Sequence, residues 1–113
     1  MSPRPDGAIA RVPTTSGSRY LQQLCKHWSH NLQVEFDANH GRVTFPAEGR
    51  SGSFPGDGTA TMNAEAEQLV VRVHGHTGEQ VERLKQVVAS HLDRFAFREA
   101  PLPFDWQADP AEA

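Results

Sequence analysis

The apolar residues of this chain recur at two spacings, every second residue in some stretches and every third or fourth residue in others. The first spacing is typical of a half-buried strand, and the second is typical of an amphipathic helix. Helical spacing predicts a first helix from about Ser16 to His30, preceded by capping residues. Five residues make up its apolar face: Tyr20, Leu21, Leu24, Cys25 and Trp28. We expect this face to pack on the core, with Trp28 as an anchor.

A second helix is predicted to begin at Thr77, because Thr77 and Gln80 have the spacing of a capping box. The apolar face of this helix is formed by Val81, Leu84, Val88, Leu92 and Phe95. Val87 and His91 lie on one flank of that face. We expect the helix to fray near residues 97–99, before Pro101.

Alternation of apolar and polar residues predicts a first strand at 8–12 and two hairpins. The first hairpin pairs residues 32–36 with 43–45, and the second pairs 59–64 with 69–73. Turn residues lie between the strands of each hairpin.

Two further stretches flank these elements. Residues 46–58 are rich in Gly, Ser and Pro and are interpreted as a mobile loop without phosphate-binding spacing. Leu102, Phe104 and Trp106 alternate again, which predicts an extended segment across the sheet or a helix.

The predicted order is therefore strand, helix, four strands, helix and extended tail. Consecutive hairpins indicate a mainly antiparallel sheet with one apolar face, covered by both helices. The predicted fold class is an α+β two-layer sandwich, and its element order resembles the TATA-binding-protein-like folds, a likeness that carries no function. We expect one domain over residues 8–106, with a disordered lead at 1–7 and a disordered tail at 107–113.

Composition narrows the classes of function. Fourteen acidic and 11 basic residues give a net charge of −3 without a basic block, which argues against a general electrostatic grip on nucleic acid. The chain shows neither a membrane-spanning apolar run nor the apolar region of a secretion signal. A single cysteine excludes an internal disulfide and fits a reducing cytoplasm. The expectation is a soluble cytoplasmic domain.

Two histidines on the first helix are candidate ligands. His27 and His30 lie roughly 60° apart around the helix axis, so both can approach one ligand. They form a partial metal site that lacks a third and fourth ligand, and the metal is unknown. Cys25 lies roughly 140° or more from both, so the three cannot chelate together. The alternative is that Cys25 packs in the core and the histidines border it.

The second helix carries a cationic flank. His91, Arg94 and Arg98 are spaced i, i+3 and i+7, and two guanidinium groups beside an imidazole suit a carboxylate or phosphate. The alternative is structural, with His91 as a hydrogen-bonded histidine at the edge of the core. The arginines would then pair with one of three carboxylates: Asp93, Glu99 or Glu35.

Catalytic arrangements are poorly supported. Cys25 and His27 are two residues apart on a helix, which points them to nearly opposite sides. Asp37 and His40 flank a glycine turn, and turn formation explains them. An enzyme using His91 as general base is the remaining catalytic hypothesis, but no nucleophile, metal set or cofactor motif accompanies it.

Four segments resemble the bacterial domain-of-unknown-function family 2218. They are YLQQLCKHWSH (20–30), VEF (34–36), HLDRFAFRE (91–99) and LPFDW (102–106). The resemblance spans roughly residues 8–106. It implies little about mechanism, because the family has no established activity. Its members are often encoded near, or described with, siderophore-interacting flavoproteins and iron uptake, and the loop at 46–58 is longer than the family's usual turn.

The first functional hypothesis is therefore a non-enzymatic binding or accessory module, linked to iron or siderophore handling. The two helix edges would converge on one cleft, where the arginines hold an anionic ligand such as a siderophore carboxylate. A lone ferric ion would prefer carboxylate or phenolate oxygens, which these edges lack. A siderophore-related flavoprotein is a candidate partner. The candidate residues are His27, His30, His91, Arg94 and Arg98.

The second hypothesis is a protein–protein module, most simply a homodimer through a sheet edge or the exposed sheet face. Val70, on the outward side of its strand, and the aromatic tail are the features that motivate it. Whether the candidate histidines and arginines line one concave pocket distinguishes the two hypotheses.

Overall fold

Two helices and a six-stranded antiparallel sheet are seen in the structure, a computed structural model that describes residues 6–49 and 52–109. The helices are α1 (Gly17–Trp28) and α2 (Gly78–Phe95). The strands are β1 (Asp6–Pro13), β2 (Gln33–Phe36), β3 (His40–Phe45), β4 (Glu48–Gly49), β5 (Gly52–Ser53), β6 (Gly58–Ala64), β7 (Gln68–Gly75) and β8 (Gln107–Ala108). The main sheet has the order β2-β3-β6-β7-β1-β8, and each neighbouring pair is antiparallel.

Alternation along the strands determines which face carries the core. In β7, Leu69, Val71 and Val73 are fully buried in the core that both helices cover, whereas Arg72 and His74 point to the other face. The predicted α+β two-layer sandwich is confirmed. The likeness to TATA-binding-protein-like folds stays a prediction.

Helix α1 lies close against β3 because β3 has a glycine beneath it. All five residues of the predicted apolar face of α1 are buried. A Cβ atom at Gly41 would lie only 2.7 Å from Cys25 Sγ, so the absent side chain leaves the space that the thiol occupies. The prediction that Cys25 packs in the core is confirmed.

The start of α2 is fixed by Gln80. The Thr77 hydroxyl accepts a hydrogen bond from the Gln80 backbone N–H at 3.0 Å, which confirms one half of the capping box. The Gln80 side chain does not return to Thr77. Its Oε1 instead accepts from the His76 N–H at 2.6 Å, and its Nε2 donates to the Gly56 carbonyl at 2.9 Å. Gln80 is only 1% exposed, so these bonds satisfy a buried amide.

Residues 46–58, predicted to be a mobile loop, contain a small hairpin in which β4 pairs with β5. Ala47 N–H donates to Asp57 Oδ1 at 2.8 Å, and Phe54 N–H donates to the Ala47 carbonyl at 2.7 Å. The sequence did not indicate these strands, because two residues are too few to show alternation. Residues 50 and 51 lie outside the described residues.

The domain extends further at both ends than predicted. Asp6 and Gly7 belong to β1, and residues 1–5 lie outside the described residues. The prediction of a disordered tail is wrong for residues 107–109, because β8 pairs with β1 and Asp109 is buried beside it. Residues 110–113 lie outside the described part of the chain. In the segment predicted to be extended, the rings of Phe104 and Trp106 stack with their centroids 5.5 Å apart and pack partly buried against the core.

Candidate functional site

Two of the candidate histidines, one from each helix, meet at the surface. His27 lies in the last turn of α1 and His91 in the C-terminal half of α2. Their ring centroids are 6.0 Å apart and their planes are tilted by 36°. His27 is exposed and His91 is half-buried, so the pair is accessible to a ligand.

The histidine pair lies in a groove of about 510 Å³, formed between the end of α1, helix α2 and the connection from β3 to β4. Apolar side chains make up most of its wall: Trp28, Leu32, Phe45, Pro46 and Val87. Asn31 adds an amide at the rim. We call this concavity the histidine groove.

A backbone hydrogen bond fixes the proton of one imidazole. His91 Nδ1 lies 2.7 Å from the Val87 carbonyl oxygen. A carbonyl only accepts, so Nδ1 carries the hydrogen. In the neutral ring Nε2 is then left with its lone pair, as a hydrogen-bond acceptor, proton acceptor or metal ligand.

Aromatic contacts hold both imidazoles in position. The centroid of the Trp28 ring lies 5.1 Å from that of the His91 ring. The Trp28 ring also contacts the Phe45 ring edge-on, with centroids 5.2 Å apart. The His27 ring contacts Phe95 edge-on at 5.8 Å. The imidazoles are therefore supported by buried and half-buried rings, which limits their reorientation.

The other three predicted site residues do not reach the histidine groove. His30 is exposed beyond the end of α1, and Arg94 is exposed in the last turn of α2. The Arg98 guanidinium lies over the ring of Phe97, 5.8 Å from its centroid. The groove wall includes none of the three.

Among the described residues, the ion pairs proposed as an alternative for the arginines are formed with none of the three carboxylates, Asp93, Glu99 or Glu35. Asp93 Oδ1 accepts from the Leu102 N–H at 2.9 Å. Glu99 accepts from the Tyr20 phenol and from the Thr14 hydroxyl. Within residues 6–49 and 52–109, neither Arg94 nor Arg98 forms an ion pair.

The structure does not favour a metal or thiol centre built on α1 alone. In the described part of the chain, no three His, Cys, Asp or Glu side chains are grouped so as to hold a metal ion. Burial raises the pKa of the Cys25 thiol to about 11, so it is protonated at neutral pH and a poor nucleophile.

Sequence reasoning missed part of the groove wall. Trp28 was expected as an anchor of the core, and both it and Phe45 are buried there while they also line the groove. Asn31 and Pro46 lie in connections where no periodic pattern identifies a role. The only usable signal was the placement of Val87 and His91 on one flank of α2.

A second depression, of about 650 Å³, lies over the sheet beside Arg42, Thr61 and Arg72, which are cross-strand neighbours. Arg72 is not free there, because its Nε lies 3.3 Å from Asp109 Oδ2. Val70 also lines the depression but is only 7% exposed. Val70 therefore contributes little exposed apolar area to this face, whereas Phe36, which also lines the depression, is exposed.

The comparisons with known proteins agree with the resemblance seen in the sequence. The model of domain-of-unknown-function family 2218, described as an uncharacterized protein conserved in bacteria, matches residues 9–107. The chain belongs to this family. The matched range of the family 2218 domain includes both helices and both histidines of the groove.

The family 2218 domain is also similar to PA4090 from Pseudomonas aeruginosa, whose structure was determined by NMR. The two share 26% sequence identity with a TM-score of 0.66, over 96% of this chain and 99% of PA4090. No curated protein matches the chain. Neither comparison refers to iron, a siderophore or a ligand. Among the described residues, no helix has the length and apolarity that crossing a bilayer requires.

Proposed function

We propose that this family 2218 domain is a binding module for a small ligand, with the histidine groove as its site. The supporting observation is that imidazoles from two separate helices meet in a groove with aromatic and aliphatic walls. Small-ligand sites combine apolar walls of this kind with a few polar groups that orient the ligand. The volume of about 510 Å³ is within the usual range for such sites.

The chemistry of the groove favours a planar aromatic ligand that carries a hydroxyl group. Leu32, Pro46 and Val87 offer accessible apolar surface for an aromatic ring, with the buried rings of Trp28 and Phe45 also lining the groove. His91 Nε2 offers an acceptor for a hydroxyl hydrogen, since Nδ1 is occupied by the Val87 carbonyl. Hydroxylated aromatic acids of siderophores belong to this class. The link to iron handling comes from the family resemblance, and it is part of the proposal.

Salicylate is the first probe, and cyclohexanecarboxylate is its non-aromatic control. Titration into ¹⁵N-labelled protein should shift the backbone resonances of Leu32, Phe45 and His91 with salicylate and leave them in place with the control. We expect His91→Phe to weaken binding roughly tenfold, because the acceptor is lost while an aromatic ring is kept. Shifts confined to residues outside the groove would contradict the proposal.

The chain offers matched controls for the predicted cationic edge. His30→Gln, Arg94→Ala and Arg98→Ala change exposed residues outside the groove. Because these side chains do not line it, we expect all three variants to bind salicylate as the unchanged protein does. Loss of binding in the arginine variants alone would move the site to the end of α2.

Two further expectations stand beside this proposal. A cytoplasmic location fits the single cysteine, a free thiol in the core. Homodimerisation was predicted from Val70 and the aromatic tail, but these are largely covered within the chain, so neither offers the apolar area of a stable interface. Dimerisation stays a prediction, which sedimentation velocity over a range of concentrations tests.

A further inference from the structure

We infer that His27 and His91 form a two-imidazole site for a divalent transition metal, with Zn²⁺ or Cu²⁺ as the fitting ions. The inference rests on the proposed function, because the metal would lie in the same histidine groove and help to hold the ligand. It differs from the sequence prediction, which paired His27 with His30 on one helix.

The separation of the two rings fits a shared ion. A Zn–N bond of about 2.1 Å places the metal roughly 3.2 Å from the centroid of the coordinating imidazole. Two imidazoles that share one metal then have centroids roughly 5.2 Å apart at a tetrahedral angle and up to about 6.4 Å apart when opposed. The observed separation of 6.0 Å lies within this range.

The surroundings of His91 are those of a metal-binding histidine. Its Nδ1 donates to the Val87 carbonyl at 2.7 Å, which leaves Nε2 as the ligating atom. Histidine ligands in metal sites usually donate their second nitrogen to a carbonyl or carboxylate in this way, which fixes the tautomer and the ring orientation. On the other side, the contact with Phe95 restrains the His27 ring.

The donor set determines the class of metal and what completes its coordination. Imidazole nitrogens suit Zn²⁺ and Cu²⁺, whereas Mg²⁺ and Ca²⁺ require oxygen ligands. The described residues supply no third His, Cys, Asp or Glu to this pair. Two or more positions therefore stay open to water or to oxygen atoms of a bound ligand, one more than in catalytic zinc sites, which have three protein ligands. A hydroxylated aromatic acid can occupy two such positions through its carboxylate and hydroxyl.

The test is a titration of chelator-treated, ¹⁵N-labelled protein with ZnCl₂, followed through the two-bond ¹H–¹⁵N correlations of the imidazoles. At a pH about one unit above the ordinary histidine pKa, the Nε2 resonance of His91 and one ring-nitrogen resonance of His27 should shift together and saturate at one equivalent of Zn²⁺ per chain. We expect His27→Gln and His91→Gln each to weaken binding by about tenfold or more, whereas His30→Gln binds as the unchanged protein does.

Zn²⁺ that shifts His30, His40 or His76 but leaves the groove pair unchanged would overturn the inference, as would equal affinities in all three variants. The result is separable from the proposed function, because salicylate is titrated into metal-free protein as well. If salicylate binds but Zn²⁺ does not shift the His27 and His91 resonances, the metal site is contradicted and the ligand site is supported. If neither salicylate nor Zn²⁺ binds in the groove, both proposals are contradicted.

Discussion

The phenol of Tyr20, in α1, donates a hydrogen bond to the carboxylate of Glu99, four residues beyond the end of α2. The Thr14 hydroxyl donates to the same carboxylate oxygen at 3.1 Å. One acidic side chain thus connects α1, the segment between β1 and α1, and the chain that leaves α2. These bonds hold the relative position of the two helices on which His27 and His91 lie.

Replacing Tyr20 by Phe should lower the free energy of unfolding by about 1–3 kcal/mol. The substitution keeps the ring in the core but removes a donor from a charged acceptor. Urea denaturation monitored by tryptophan fluorescence measures the change. Thr15→Val, at an exposed position one residue from Thr14, is a control that should change stability by less than about 0.5 kcal/mol. A Tyr20→Phe variant as stable as the unchanged protein would show that the bond contributes nothing net.

The same contact predicts a loss of stability at alkaline pH. The hydrogen bond to Glu99, followed by burial, raises the pKa of Tyr20 above its ordinary value of 10.0. The folded state therefore holds the phenolic proton more tightly than the unfolded state does. Its contribution is complete below the unfolded pKa and is lost as the pH rises through the folded pKa. We expect the unchanged protein to lose more free energy of unfolding than Tyr20→Phe as the pH rises above the ordinary tyrosine pKa of 10.0. If the free energy of unfolding depends on pH in the same way in both proteins, this prediction is contradicted.

Replacing Gly41 by Ala tests the close approach of α1 to β3. The new Cβ would meet Cys25 Sγ at 2.7 Å, whereas its next contacts, with Met62 and Leu21, are ordinary at 3.6 and 3.7 Å. Overpacking of this kind costs about 1–3 kcal/mol of the free energy of unfolding.

The matched control for this prediction is a double-mutant cycle with Cys25→Ala, which removes the sulfur atom. Gly41→Ala should cost far less in the Cys25→Ala background, because the clash is with that single atom. The cycle is measured by chemical denaturation. If the two substitutions change the free energy of unfolding additively, the cost of Gly41→Ala does not come from the contact with Cys25 Sγ.

Local pattern was enough to predict the elements and their buried faces, because burial in a two-layer sandwich follows the period of each element. Every residue assigned to the apolar face of α1 is buried there, and both main hairpins are present. The short pair β4–β5 was missed, since its strands have no length in which a period can appear.

The pairing of His27 with His91 lay beyond the sequence for a different reason. A helical wheel places residues around one axis but does not give the rotation of one helix against another. Arg94 shares a flank with His91, yet it lies nearly one turn further along α2 and outside the groove. Asp109 was missed because a charged residue near the end of the chain, after the last apolar alternation, is typical of a solvated tail.

That misassigned residue carries the last prediction. The Asp109 carboxylate is fully buried, and Oδ2 lies 2.7 Å from His74 Nε2 and 3.3 Å from Arg72 Nε. Asp109→Ala should lower the free energy of unfolding by about 2–3 kcal/mol, because the Arg72 side chain is partly buried and loses an anionic neighbour. The matched control is Asp105→Ala, which removes an exposed carboxylate in the same segment. It should change the free energy of unfolding by less than about 0.5 kcal/mol.

Hydrogen exchange gives the local measure of the same change. Residues 8 and 9 of β1 pair with β8, so the loss of Asp109 should accelerate exchange of amides at this edge before it affects β6 and β7. If Asp109→Ala and Asp105→Ala have equal stability and equal exchange at β1, the buried carboxylate does not anchor the end of the chain. If exchange accelerates evenly over the whole sheet, Asp109 supports the core as a unit, because the edge does not then open independently of the central strands.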